Sequence, residues 1–264
     1  MQNLRNKITA FRKELSNKQL YIFMDYDGTI APIADSPEKA VIPQKMKELI
    51  GNLAAMDSIK MAIVTGRSLK DIKSRVGIKG IIYVGNHGLE IEGPGVGYSI
   101  KVPEITIDLL QSIKKLLSFK LGSVKGVLIE DKGLAIALHY RNVEKGVISM
   151  LNGYFNYVVQ PYLMANKIDI IAGKMVYEVR PHVDWNKGNA VMWLISKYKK
   201  ETDKELLPIY MGDDITDESV FKCLEETGIT VRVGEHKKTA AKHYLKDSGE
   251  VYEILKEISL QMKQ

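Results

Sequence analysis

The apolar run Leu20-Tyr21-Ile22-Phe23-Met24 ends on Asp25-Tyr26-Asp27-Gly28-Thr29-Ile30. A short apolar run closed by a glycine turn reads as a buried strand, so the two carboxylates stand at its carboxyl end. Open α/β sheets collect their ligands at that end. Asp-x-Asp brings two carboxylates near one point, which suits a divalent cation and leaves one carboxylate free as nucleophile or general acid/base.

Three further segments follow in order. Thr65-Gly66-Arg67-Ser68 closes the apolar run Met61 to Val64, Lys187 opens a helical stretch in Trp185-Asn186-Lys187-Gly188, and Gly212-Asp213-Asp214-Ile215-Thr216-Asp217-Glu218 follows the apolar run from Leu206. Singly, each has a structural reading. Asp-x-Asp-Gly can be a solvated turn, Thr65-Gly66 a strand-to-helix turn, and Asp213-Asp214 a pair favouring a helix amino terminus. Together they present carboxylates, a hydroxyl and an ammonium at three strand tips and one helix start.

The spacing of elements predicts the framework. Leu4, Ile8, Phe11 and Leu15 recur at helical period, predicting an amphipathic helix over 3–17. Pro43 opens a helix to Met56, a strand runs from Lys60 to Val64, Ser68 caps a helix to Val76, and Ile81 to Val84 is a strand. Alternating strands and helices predict an α/β, doubly wound parallel sheet. After Gly85 the rhythm changes. A hairpin turns at Gly93-Pro94-Gly95, a helix follows over 105–121, and a second hairpin (124–130, 134–140) turns at Asp131-Lys132-Gly133. A helix over 143–157 and a strand pair turning at Ala172-Gly173-Lys174 complete a small α+β unit. The α/β rhythm then resumes, with strands to Met211 and over Ile229 to Val233 and helices over 187–198, over 218–226 and at the end of the chain. Residues 1–100 and 182–264 are expected to form the core, and 101–181 an insertion.

Composition narrows the function classes. The chain has 264 residues, 45% of them hydrophobic, enough for a proper core. No run approaches the roughly 20 apolar residues of a membrane span. The amino terminus is too polar for a signal peptide, so a cytoplasmic protein is expected. The net charge of +6 is scattered among acidic residues, which argues against nucleic acid and for a mild field that draws a small anion. The single cysteine, Cys223, cannot form an intramolecular disulfide and reads as buried packing.

The four ordered segments resemble the haloacid dehalogenase superfamily of phosphohydrolases. The finer resemblance is to the trehalose-6-phosphate phosphatase family, carried by Asp25 to Thr29 with Ala31-Pro32-Ile33, Thr65-Gly66-Arg67, Gly85-Asn86-His87-Gly88-Leu89-Glu90, His139-Tyr140-Arg141, Glu178-Val179-Arg180-Pro181 and Gly212 to Glu218. It implies a Rossmann-like core with an inserted α+β cap. It also implies Asp25 as the nucleophile that forms an aspartyl-phosphate, and Asp27 as the acid/base. Thr65 would bond a phosphoryl oxygen and Lys187 would offset charge. Mg²⁺ would be held by Asp25, the Asp27 backbone carbonyl and Asp213, with Asp214 or Asp217 supporting through water. Gly66, Arg67, Asn86, His87, Glu130, Lys132, Arg141, Glu178 and Arg180 are the candidate substrate contacts. The expected partner is a small sugar phosphate, with no nucleic acid and no membrane, and the expected state a monomer. Another sugar ester, a phospho-accepting receiver and a binding-only sugar sensor compete. Chain length, the insertion and Asp27 argue against the receiver, and the presence of Asp25 against the sensor.

Overall fold

A computed structural model describes residues 2–15, 18–201, 203–234 and 238–263. The chain divides into two compact units, Met1–Ser99 with Trp185–Gln264, and Ile100–Asp184.

In the first unit the chain forms β1 (Gln2–Asn3), α1 (Ile8–Leu15), β2 (Gln19–Met24), α2 (Gln44–Ala54), β3 (Ile59–Val64), α3 (Leu69–Val76), β4 (Ile82–Gly85), β5 (Glu90–Gly93) and β6 (Val96–Ser99). The second unit then supplies α4 (Glu104–Leu121), β7 (Leu128–Asp131), β8 (Ile136–His139), α5 (Lys145–Met164), β9 (Ile168–Gly173) and β10 (Val176–Pro181). The first unit is completed by α6 (Lys187–Lys199), β11 (Leu206–Gly212), α7 (Glu218–Cys223), β12 (Ile229–Val233), β13 (His243–Leu245) and α8 (Ser248–Gln261).

The first unit is a nine-stranded sheet in the order β1-β13-β12-β11-β2-β3-β4-β5-β6. Pairing is parallel from β1 to β4 and antiparallel across β5 and β6. Every residue of β2 is buried, because helices cover both faces. Leu20, Ile22 and Met24 pack with α2, α3 and α8 on one side. Tyr21 and Phe23 pack with α6 and α7 on the other. From β2 the chain moves to β3 on one side and later returns to β11 on the other, which makes the carboxyl end of β2 a topological switch point.

The second unit is an antiparallel sheet, β7-β8-β10-β9, with α4 and α5 on one face. Ile136, Leu138, Ile168 and Val179 point into that core. Alternation puts Glu130, His139, Asp169, Glu178 and Arg180 on the opposite face.

Several elements differ from the sequence expectation. The expected helix over 3–17 gives its first residue, Asn3, to β1, which pairs with β13 (Gln2↔His243), and starts at Ile8 after a 3₁₀ turn; residues 16 and 17 and the side chain of Ile8 lie outside those described. β13 was not expected, since three residues carry too little period to read. α5 continues past Tyr157 to Met164 because Val158 and Val159 are buried in the unit's core, and Pro161 falls near the helix end. Cys223 is exposed, not packed. Val220, Phe221 and Leu224 span a buried arc of the helix surface, and at 100° per residue Cys223 lies outside it.

Candidate active site

Asp25 follows the last residue of β2, and its amide donates to Met211 O at 2.9 Å, extending the β2–β11 ladder by one rung. Asp213 follows β11 directly, and Thr65 follows β3. Three neighbouring strands therefore end on polar side chains at the switch point. Gly28 makes the close approach possible. Its φ is +83°, and a Cβ there would lie 2.3 Å from Asp213 Oδ2.

Lys187 arrives from the opposite direction as the first residue of α6. Asn186 caps that helix, accepting from Gly188 N at 2.8 Å and Asn189 N at 3.2 Å, while Asn189 Oδ1 accepts from Asn186 N. Trp185 Nε1 donates to Gly88 O at 2.8 Å and ties the same entry to the loop after β4. The ammonium, 2% exposed, donates to Asp25 Oδ1 at 3.1 Å and to Asp217 Oδ1 at 2.8 Å. Burial alone would lower its pKa, but Asp217 and Asp25 outweigh burial and hold the lysine protonated.

The carboxylates of Asp25, Asp213 and Asp217 each offer an oxygen, and these oxygens lie within 4.8 Å of one another. Burial pushes the Asp25 carboxyl up, Lys187 pulls it down, and Asp217 and Asp213 push it up again. Lys187 is hydrogen-bonded to two of these three carboxylates, Asp25 and Asp217. An all-oxygen donor set of this kind fits a hard divalent cation.

Asp217, weighed in the sequence as an alternative support, is the residue the fold brings into this cluster. It accepts from Tyr210 Oη at 2.6 Å as well as from Lys187, and its Oδ2 accepts from Asp214 N at 2.9 Å. Asp214, expected as a support through water, is not one of the three clustered carboxylates; its carboxylate accepts from Thr216 Oγ1 at 3.4 Å. Asp217 lies three positions after Asp214, which is the reciprocal capping spacing and a signal available in the sequence. Tyr210 had no such signal, since it is one aromatic in an apolar strand.

Thr65 is buried, and its Oγ1 accepts from Arg67 N at 3.2 Å. Gly66 is required by His87, since a Cβ there would lie 2.5 Å from the imidazole. Asn86 and His87 both have positive φ, at 47° and 55°, and Asn86 Nδ2 donates to Glu90 Oε2. Asp27 is joined to Arg67, whose Nε and Nη2 donate to its two oxygens at 2.7 Å each.

The remaining candidates lie in the second unit and meet partners within it. Lys132 Nζ and Glu178 Oε2 form a buried ion pair, and His139 Nε2 lies 3.0 Å from Glu130 Oε2. Arg141 donates to Lys174 O at 3.2 Å, and Arg180 faces Asp169 at 3.6 Å. Glu130 and Glu178 both stand opposite Ala137, so they flank one residue of β8 on the face away from the helices.

Residues 23–249 match the family model described as trehalose-phosphatase. A trehalose-phosphate phosphatase of Mycobacterium marinum is 32% identical over 246 residues, covering 91% of this chain and 62% of that protein. Trehalose-phosphate phosphatase B of Arabidopsis thaliana is 32% identical over 253 residues, covering 91% of this chain and 66% of its own length. The chain thus spans slightly less than two thirds of these relatives. Among solved structures, the C-terminal domain of a C. albicans trehalose-6-phosphate phosphatase superposes with a TM-score of 0.83 at 22% identity, covering 98% of both chains, which shows the shared fold.

Proposed function

Because the chain belongs to the trehalose-phosphatase family, we propose that it hydrolyses trehalose 6-phosphate to trehalose and phosphate, with Mg²⁺ and through an aspartyl-phosphate on Asp25. The observation that carries this reading is the buried cluster in which Lys187 touches Asp25 and Asp217 beside Asp213. The relatives' names support the choice of ester, and the cluster supports the choice of chemistry.

Asp25 attacks phosphorus while the bond to the sugar oxygen breaks, and Asp27 delivers a proton to that oxygen. Water then bonds to phosphorus, gives a proton to Asp27 and frees Asp25. Lys187 holds Asp25 Oδ1 and so orients the carboxylate for attack. Thr65 offers a hydroxyl to the phosphoryl group. Asp25, Asp213 and the Asp27 backbone carbonyl would hold Mg²⁺, with Asp217 behind them. When bound, the ion neutralises the carboxylates and the phosphoryl oxygens. The second unit is the proposed cap, and Glu130, Lys132, Arg141, Glu178 and Arg180 on it, with Asn86 and His87, are the proposed sugar contacts. A cytoplasmic monomer acting on a small sugar phosphate, without nucleic acid or membrane, completes the reading; no helix among the described residues is long and apolar enough to cross a membrane.

The test is phosphate release from trehalose 6-phosphate, sucrose 6-phosphate, glucose 6-phosphate, mannosyl-3-phosphoglycerate and para-nitrophenyl phosphate, each with Mg²⁺ and with chelator. Preference for trehalose 6-phosphate in kcat/KM, abolished by chelator, is expected. Equal cleavage of several esters would leave a phosphatase with another substrate.

A further inference from the structure

We infer that Arg67 is the positioning residue for the acid/base Asp27 and not a substrate contact. The inference rests on the phosphatase reading above. Asp27 stands in the turn after β2 with its side chain 44% exposed, a setting in which a carboxylate ordinarily samples several rotamers. Here both of its oxygens are taken by one guanidinium, at 2.7 Å from Nε and 2.7 Å from Nη2. A fork-on-fork pair of this kind fixes the plane of the carboxylate as well as its place.

The guanidinium is itself held. Nη1 donates to Asp71 Oδ2 at 2.8 Å, Nη2 donates to Pro37 O at 2.8 Å, and the group lies over the Tyr26 ring, 5.2 Å from its centroid. Asp71 is shared with Arg75, whose Nε lies 2.8 Å away and whose Nη1 reaches Glu38 O at 3.2 Å. Tyr26 Oη donates to Ala40 O at 3.0 Å. The clamp on Asp27 is thus anchored in α3 and in the 37–40 segment.

Counting donors separates the two roles. A guanidinium has five N–H groups. Asp27 takes two, and Asp71 and Pro37 one each. A substrate contact needs donors aimed outward, and Arg67 is 10% exposed with four of its five already spent inward. Asp27 keeps capacity on its other side, because a carboxylate has about four acceptor sites and the fork uses two.

The chemistry explains why such a clamp matters. Asp27 must act twice from one position, giving a proton to the leaving sugar oxygen and later taking one from the attacking water. General acid/base assistance contributes about 10²–10⁴-fold, and a misplacement of about 1 Å forfeits about 10²-fold.

The experiment compares wild type, Arg67→Met, Arg67→Lys and Asp71→Asn on trehalose 6-phosphate and para-nitrophenyl phosphate, with stopped-flow detection of nitrophenolate. Arg67→Met is expected to lose about 100-fold in kcat on the sugar ester, with KM little changed. On para-nitrophenyl phosphate it should release a burst of about one nitrophenolate per active site and then turn over slowly, because that leaving group needs no proton but hydrolysis of the intermediate still needs Asp27. Arg67→Lys, which keeps the charge but not the fork, should behave like Arg67→Met. Asp71→Asn should show a smaller loss of the same pattern and carries the test if Arg67→Met does not fold. A raised KM with kcat retained would make Arg67 a substrate contact, and an equal loss on both esters without a burst would make it scaffold; either overturns the inference alone. A wild-type chain that cleaves neither ester overturns the phosphatase reading and this inference with it.

Discussion

The charged residues of the two units are organised by different rules. In the first unit, Asp25, Lys187, Asp213 and Asp217 come together, although Asp25 and Lys187 are 162 positions apart in sequence. The carboxylates meet because parallel strands all end at the same edge of the sheet, where each tip delivers whatever follows its apolar run, and the start of α6 brings Lys187 to them. In the second unit, Lys132, Glu178, Glu130 and His139 meet across an antiparallel sheet, where partners depend on register. The first arrangement is set by where each strand ends. The second would exchange faces with a slip of a single residue.

Four substitutions would break or sharpen that comparison. Lys187→Met should have the largest effect, since it leaves Asp25 and Asp217 facing each other in a buried site. Removal of one partner from a buried ion pair costs about 3–5 kcal/mol, so urea unfolding without divalent cation should show a loss of that order, and turnover should vanish. Unchanged stability would mean that the two carboxylates are not held by the lysine.

Gly28→Ala comes next. The added methyl falls on the Asp213 carboxylate at a φ that favours glycine. A Mg²⁺ titration followed by melting temperature should require at least about tenfold more ion, a shift of about 1.4 kcal/mol in binding. A wild-type titration curve would remove Asp213 from the proposed metal site.

Glu178→Ala tests the second unit. It should raise KM for trehalose 6-phosphate much more than for para-nitrophenyl phosphate and leave kcat on the latter near wild type. Parallel changes on both esters would place the Lys132–Glu178 pair in the scaffold.

The smallest effect is a pH dependence. Burial raises the Asp71 pKa, but hydrogen bonds from Arg75 and Arg67 outweigh it and hold the carboxyl below its usual value. The native state therefore binds fewer protons than the unfolded one in the acid range. The stabilisation is present above the ordinary carboxylate pKa and fades as pH falls through the depressed native value. The gap in stability between wild type and Asp71→Asn should accordingly be wider at about pH 7 than at about pH 3. A gap that widens toward acid would contradict the sign.

Much of the first unit was legible because its signals are local. The apolar runs before Asp25, Thr65 and Asp213 announce buried strands, and Asn186-Lys187-Gly188 announces a helix start. What could not be read was the direction of side chains within a turn. The spacing of Asp214 and Asp217 suggests a cap, but only the structure shows Asp217 taken by Lys187 and Tyr210 while Asp214 accepts from Thr216. Arg67 reads in the sequence as a substrate contact, and only the structure shows Asp27, 40 residues away in sequence, on its fork. Cys223 looked apolar by its neighbours, yet it lies off the buried arc of α7.

The sequence by itself determined the α/β framework, the strand tips that carry the carboxylates and the helix start that carries Lys187, because hydrophobic period and caps act over a few residues. The tertiary structure alone decided which carboxylates share an ammonium, that Tyr210 backs Asp217, and that Glu178 pairs with Lys132. Those choices are set by distances between segments far apart in the chain, and in a buried site each charge must find its partner among the groups the fold brings within reach.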